Sequence, residues 1–190
     1  EAIERAAGSR GGLLRLPVRT GKTTIAAALA LQTGLRTLFL APSELLATQT
    51  LRVFKTALRG GRTTLFGLGI HDGSGDVVVA TPQSLVILAK TREFQSFREA
   101  FGLVMGDEVH HNDSADSAWR ELLMDINAHL KLGLSATIET IEDGSKNENA
   151  IWLHGVCGPL LYSVPVSEMI ERGFLHRPVI RFVRYETPPL

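Results

Sequence analysis

The sequence predicts an α/β domain: a doubly wound, mostly parallel sheet with helices on both faces. Three observations lead there. Short continuous, largely apolar runs of strand length, such as Thr37-Leu38-Phe39-Leu40 and Val77-Val78-Val79-Ala80, recur along the chain. Each is followed by a loop and then a helical stretch, so the rhythm is strand, loop, helix, repeated. Every polar residue of suggestive chemistry, from Lys22 to Thr137, comes just after one of those runs. Strands apolar on both sides belong in a sheet covered by helices, and sheets of that kind bind ligands at the carboxyl ends of their strands.

Taken in order, Ala2 to Ala7 reads as a helix ended by Gly8, and Ser9-Arg10-Gly11-Gly12 as a loop feeding a strand from Leu13 to Leu16. A helix from Lys22 to Leu31 stops near Gly34, and the strand Thr37 to Leu40 leads through Ala41-Pro42-Ser43 into a helix from Glu44 to Leu58. Thr64 to Phe66 is a strand, followed by a glycine-rich turn region through Gly67, Gly69, Gly73 and Gly75. After Val77 to Ala80, Thr81-Pro82 opens the helix Gln83 to Ala89, with proline in the first turn, where its missing N–H does no harm. Phe101 to Met105 runs into Asp107-Glu108, Ser114 to Ala128 is helical, and Lys131 to Leu134 is a strand. The tail breaks this rhythm. It has a polar loop from Asp143 to Asn149, an irregular Gly-Pro stretch, a helix from Val166 to Arg172 closed by Gly173, and a last strand Val179 to Arg184. Residues 1–185 are expected to form one domain, with 186–190, which include Thr187-Pro188-Pro189, starting a linker.

At 190 residues, 44% hydrophobic and 21% charged, the chain can bury a full core. A net charge of zero excludes a protein that holds nucleic acid by being basic all over, and leaves room for one local basic groove. Arg52, Lys55, Arg59 and Arg62 either extend a grip on phosphates or are solvated charges on a helix face. The single cysteine, Cys157, permits no internal disulfide, reads as a small buried thiol, and favours an intracellular, reducing compartment. No apolar stretch approaches the length of a membrane span and no signal peptide opens the chain, so no membrane partner is expected. Glu1-Ala2-Ile3-Glu4-Arg5 begins inside an amphipathic helix without an initiator methionine, as a piece of a longer protein would.

The chemistry begins at Pro17-Val18-Arg19-Thr20-Gly21-Lys22-Thr23-Thr24, between a strand and the alanine-rich Ile25 to Ala30. Strand, tight loop and helix are the scaffold for phosphate binding, because the free N–H groups of the first helical turn converge on an anion. Lys22 would place a charge on the β/γ-phosphates, and the Thr23 hydroxyl would ligate Mg²⁺. The strict pattern G-x-x-x-x-G-K-[ST] fails, since Leu16 stands at its first glycine. Met105-Gly106-Asp107-Glu108-Val109-His110-His111 follows a buried strand. Asp107 would hold Mg²⁺ through water while Glu108 polarises the attacking water. A zinc site is disfavoured, because neighbouring histidines point apart and no H-E-x-x-H spacing or cysteine cluster supports one. Gly133-Leu134-Ser135-Ala136-Thr137 ends a third strand, with hydroxyls able to hydrogen-bond the acidic loop.

Together these stretches resemble the first RecA-like motor domain of a DExH-type superfamily 2 helicase or translocase. Pro17 to Thr24 is similar to the nucleotide-binding motif I, Asp107-Glu108-Val109-His110 to motif II and Ser135-Ala136-Thr137 to motif III. Ala41 to Leu46 resembles motif Ia, and Val79 to Leu85 the later nucleic-acid-contacting motif of the same domain. Order, spacing and strand-end placement agree over residues 12–137, and Tyr162 to Leu175 looks like the end of this domain in helicases of the XPB, RecG and type III restriction kind.

The resemblance implies a P-loop NTPase with ATP and Mg²⁺ as cofactors. It puts Arg19, Thr20, Gly21, Lys22, Thr23 and Thr24 around the phosphates, Thr23 and Asp107 on the metal, and Lys22, Asp107 and Glu108 in catalysis. His110, Ser135 and Thr137 would couple hydrolysis to movement. Pro42, Ser43, Thr81, Pro82 and Gln83 would meet the sugar-phosphate backbone. It implies nucleic acid as partner, DNA ahead of RNA, together with a second RecA-like domain that supplies an arginine finger. The chain departs from the family's Thr-Gly-x-Gly-Lys-Thr by carrying Val18 and Arg19 at the Thr-Gly pair, and by Gly106 where an aliphatic residue is usual. Arginine lacks glycine's freedom at positive φ, so Arg19 either adds a phosphate contact or crowds the pocket, and Gly106 is expected to loosen the strand end. A degenerate, non-hydrolysing module that binds nucleic acid or a partner, an RNA helicase domain, and an unrelated P-loop kinase or GTPase are the alternatives. The last lacks any Asn-Lys-x-Asp run.

Overall fold

The computed structural model describes residues 1–109, 117–141, 144, 147–179 and 181–183. His110, His111, Asp143, Ser145 and Lys146 of the expected 143–149 loop, and the linker expected at 186–190 lie outside the described residues.

The strands are β1 (Gly11–Arg15), β2 (Thr37–Leu40), β3 (Thr63–Gly67), β4 (Ile70–His71), β5 (Val77–Ala80), β6 (Leu103–Asp107), β7 (Leu130–Ser135) and β8 (Leu160–Ser163). They form one sheet in the order β4-β3-β5-β2-β6-β7-β1-β8. All neighbouring pairs are parallel except β3 and β4, which close an antiparallel hairpin through Phe66↔His71 and Gly67↔Ile70. The chain passes from β1 to β2 over two intervening places, which β6 and β7 later fill. The strand that precedes the Gly-Lys-Thr loop therefore comes to lie beside the strand that ends in Ser135, with the strand that ends in Asp107 next along.

The helices are α1 (Ala2–Ala7), α2 (Lys22–Thr33), α3 (Glu44–Ala57), α4 (Pro82–Leu88), α5 (Phe94–Arg98), α6 (Ser117–Asp125), α7 (Glu148–Cys157) and α8 (Val166–Glu171). Successive strand residues point to opposite faces, and two hydrophobic clusters result. On one face Leu14, Phe39, Val79, Met105 and Leu134 meet Ala6 of α1, the alanine side of α2 and Phe54 of α3. On the other, Leu13, Leu38, Val78 and Val104 meet Leu85 of α4, Leu122 and Leu123 of α6 and Leu153 of α7. Helices thus cover both faces, as expected of strands apolar throughout. Phe39 and Phe54 meet edge to face at 5.4 Å between ring centroids, a favoured geometry for aromatic pairs.

Some expectations are corrected. The stretch read as irregular after Asn149 holds a ten-residue helix, α7, and a parallel edge strand, β8. Asn147 caps α7, its side chain accepting from Asn149 N at 2.7 Å. The glycine-rich turn after Phe66 contains β4, whose two residues suffice to pair with β3. The strand expected over 179–184 does not form within the described residues: Val179, Phe182 and Val183 are 81%, 95% and 87% exposed, with no neighbouring strand to bury them. Nor does Gly106 loosen its strand, because it stays in register with Leu40 on one side and Gly133 on the other.

Candidate functional site

The loop after β1 is built by its own turn. Thr20 N and Thr20 Oγ1 both donate to Pro17 O, at 3.3 and 2.7 Å. Gly21, at φ 78°, sits in the left-handed region and begins α2 without offering any side-chain acceptor to the first turn. The orphan N–H groups of that turn are thereby left for another acceptor. Arg19 also takes a left-handed φ, 67°, at the place where the resemblance leads one to expect glycine, and its side chain is exposed.

Lys22, the first residue of α2, turns toward the ends of β6 and β7. Its Nζ donates to Glu108 Oε1 and stands 3.9 Å from Asp107 Oδ1. Ser135 Oγ donates to the other carboxylate oxygen, Glu108 Oε2, at 3.2 Å, and accepts from Thr137 N at 3.2 Å. Glu108 reaches both partners from a left-handed backbone, φ 51°, with its own N–H donating to Asp107 Oδ1 at 3.1 Å. Three stretches far apart in the sequence therefore meet in one chain of contacts from Lys22 through Glu108 to Ser135 and Thr137. Asp107 is buried, which raises its pKa above the ordinary carboxylate value against the opposing pull of Lys22. Two carboxylates facing one ammonium leave a net negative charge in a partly dehydrated cleft, and Thr23, half-buried in the first turn of α2, offers a hydroxyl. Oxygen donors of that kind suit Mg²⁺.

The residues expected to meet nucleic acid lie at the same end of the sheet, after β2 and β5. Ser43 and Gln83 are exposed and Pro42 is half-buried, whereas Thr81 and Pro82 are buried. Ser43 Oγ and Thr81 Oγ1 each accept the N–H that opens a helix, Leu46 N and Ser84 N, both at 3.4 Å. Both are N-caps. Thr24 is exposed. Cys157 is buried, and burial pushes its thiol up to about 12, so it stays protonated and inert as expected. Among the described residues no group of three or more His, Cys, Asp or Glu is placed to hold a metal by itself.

Residues 1–140 match the family model described as type III restriction enzyme, res subunit. The chain belongs to this family. Its mostly parallel sheet with helices on both faces matches RecA-like helicase domains in fold. A hypothetical ATP-dependent RNA helicase from Sulfolobus tokodaii matches at TM-score 0.67 and 20% identity over 82% of this chain and 47% of its own. The type ISP restriction-modification enzyme LlaGI, solved as a nuclease-deletion mutant with a DNA substrate mimic, matches at 0.67 and 19% over 90% and 20%. T4 UvsW matches at 0.64 and 23% over 86% and 34%. This res-subunit relative thus spans less than half the length of each of those proteins. No curated protein sequence matches it.

One residue beside this constellation, outside the binding machinery itself, carried no assigned role in the sequence. Arg15, the last residue of β1, bonds to the carbonyl of Ile138 and to the hydroxyl of Ser163. A charged residue inside the apolar run Leu13-Leu14-Arg15-Leu16 was the available signal.

Proposed function

We propose that residues 1–185 are the ATP-binding motor domain of a nucleic-acid-dependent ATPase, a DNA helicase or translocase of the intracellular compartment, leading into an interdomain linker at 186–190. The observation that carries the reading is the junction of Lys22 with Asp107 and Glu108 at the carboxyl ends of the sheet, beside an uncapped helix start. Membership of a helicase ATPase family supports it. Among the described residues no helix is long and apolar enough to cross a membrane.

In this reading the first-turn N–H groups of α2, with Thr20, Gly21, Thr24 and the exposed Arg19, receive the phosphates. Lys22 leaves Glu108 for the β/γ-phosphates. Thr23 and Asp107 hold Mg²⁺, which when bound neutralises charge on the phosphate oxygens. Glu108, released from Lys22 and still held by Ser135, orients the water that attacks the γ-phosphate and takes its proton. Ser135 and Thr137, with His110, report that change to the rest of the domain. Pro42, Ser43, Thr81, Pro82 and Gln83 form the backbone-contacting rim, with DNA favoured over RNA. A second RecA-like domain supplies the arginine finger, worth roughly 10³ to 10⁵ in rate in related systems, so the chain alone hydrolyses ATP slowly.

The test is ATP titration of the wild type against Lys22→Ala, followed by hydrolysis with single-stranded DNA or RNA in a full-length relative carrying Glu108→Gln as control. Lys22→Ala should weaken ATP binding about tenfold or more, the scale of a charge-assisted contact. Equal, weak binding by both proteins removes the enzyme reading and leaves a non-hydrolysing module.

A further inference from the structure

Arg15 ends β1 immediately before the nucleotide loop, and its side chain reaches two other elements. Nη1 donates to Ile138 O at 3.3 Å, one residue beyond Ser135-Ala136-Thr137. Nε donates to Ser163 Oγ at 3.1 Å, at the end of β8. The main chain adds to both links: Val164 N donates to Arg15 O at 3.0 Å, and Leu16 N donates to Ser135 O at 2.8 Å. Val164 and Pro165 lead straight into α8, a helix that buries no side chain. Such a helix takes its position from its attachment rather than from a packed face.

We propose that Arg15 is a positioning residue that carries the occupancy of the nucleotide loop, through Ile138 and Ser163, to α8. The inference rests on the nucleotide-binding reading above. A guanidinium is a rigid planar fork with donors fixed in direction, so it ties two acceptors at a set separation. When Glu108 exchanges Lys22 for water, Ser135 follows it, and the Ser135–Thr137 segment carries Ile138 with it. The fork passes that displacement to Ser163, and thence to the start of α8. A lysine at the same place has one mobile point charge and cannot hold both acceptors in fixed relation.

Amide hydrogen exchange over 160–175 tests this in the chain itself, with ADP–Mg²⁺ and a non-hydrolysable ATP analogue as probes. In the wild type the two nucleotides should change exchange in α8 by about threefold or more, as expected for a locally opening element. Arg15→Lys and Ser163→Ala should bind both nucleotides within about twofold of wild type, because neither side chain is placed on the phosphates and Arg15→Lys keeps the charge, and should lose the α8 response. Ser163→Ala removes only the β8 side of the link, so the test stands even if the Arg15 variant fails to fold. Persistence of the α8 response in Ser163→Ala, or its absence in a wild type that binds nucleotide, overturns the proposal alone. Nucleotide affinity that falls tenfold in both variants also overturns it, because Arg15 would then be shaping the loop. A wild type that binds no nucleotide overturns the underlying reading and this inference with it.

Discussion

Gly133 and Val109 pack with no room for one further carbon: a Cβ on Gly133 would lie 3.1 Å from Val109 Cγ2 and 2.7 Å from Leu13 Cδ2. Leu13 and Val109 are fully buried, so neither can swing aside into solvent. Val109 directly follows Glu108, and the bare face of Gly133 is what lets the acidic loop settle against β7. Gly133→Ala should cost about 1–3 kcal/mol, the range of overpacked cores. Urea unfolding should show a lower midpoint at unchanged slope. The variant should also bind ATP more weakly, since the displaced loop carries Glu108 and Asp107 with it. A midpoint equal to that of the wild type would mean that β7 yields here.

The sequence shows such strands more readily than it shows such contacts. Val77 to Ala80 and Thr37 to Leu40 are almost wholly apolar and buried at every position, as a strand covered on both faces requires. α7 escaped because Gly155, Gly158 and Pro159 punctuate it like a loop. Its buried residues, Ala150, Leu153 and Cys157, nevertheless fall at helical spacing, and Gly158, at φ 104°, is its C-cap. The exposed Val179, Phe182 and Val183 show the converse: apolar side chains make a strand only where a neighbouring strand exists to pair with them. At the site, the three motifs could be read in order, but the pairing of Lys22 with Glu108, 86 residues away, could not. That contact depends on β6 and β7 entering the sheet between β1 and β2, a choice of topology that no local pattern encodes.

Asp107 gives a pH signature. Burial raises its folded-state pKa above the unfolded value of 3.8, outweighing the attraction of Lys22. An acid raised on folding contributes its full stability below the unfolded value and loses it as the pH climbs through the folded one. Asp107→Asn removes the charge while keeping an oxygen for Glu108 N, and Lys22 retains Glu108 as partner. The variant should therefore melt above the wild type at pH 7, with the gap closing as the pH falls toward 4. Thermal melts across that range check it, and a variant that melts below the wild type at pH 7 contradicts it. Hydrolysis should be lost at every pH.

Arg19 sets two effects against each other. Its left-handed backbone, φ 67°, costs an L-residue about 1–2 kcal/mol. Glycine removes that strain but adds about 0.5–1 kcal/mol of unfolded-state entropy to be lost. Arg19→Gly should then change stability by about 1 kcal/mol or less, toward stabilisation. The exposed guanidinium beside the loop should meanwhile aid the phosphates by up to about fivefold in affinity, as an exposed charge pair does. ATP titration at low and high salt separates the two, because the advantage of arginine over glycine should shrink as salt rises. Tighter binding by the glycine variant would show that Arg19 obstructs the pocket.

Thr81 and Gln83 stand two residues apart and should behave in opposite ways. Thr81 is 3% exposed, and its hydroxyl accepts from Ser84 N and lies 2.8 Å from Ser84 Oγ. Thr81→Ala should cost about 1 kcal/mol, the usual loss of an N-cap, and should weaken nucleic-acid binding only as far as α4 frays. Gln83 is exposed in the first turn of α4, where its side-chain amide can meet a ligand. Gln83→Ala should leave the melting temperature within about 1 °C, as surface changes do, yet weaken binding of single-stranded DNA about threefold to tenfold, the loss of one backbone contact. Melting and fluorescence-anisotropy titrations on the same two proteins give the comparison. If Thr81→Ala loses DNA affinity without losing stability, the buried hydroxyl itself meets the strand, and α4 must shift on binding to expose it.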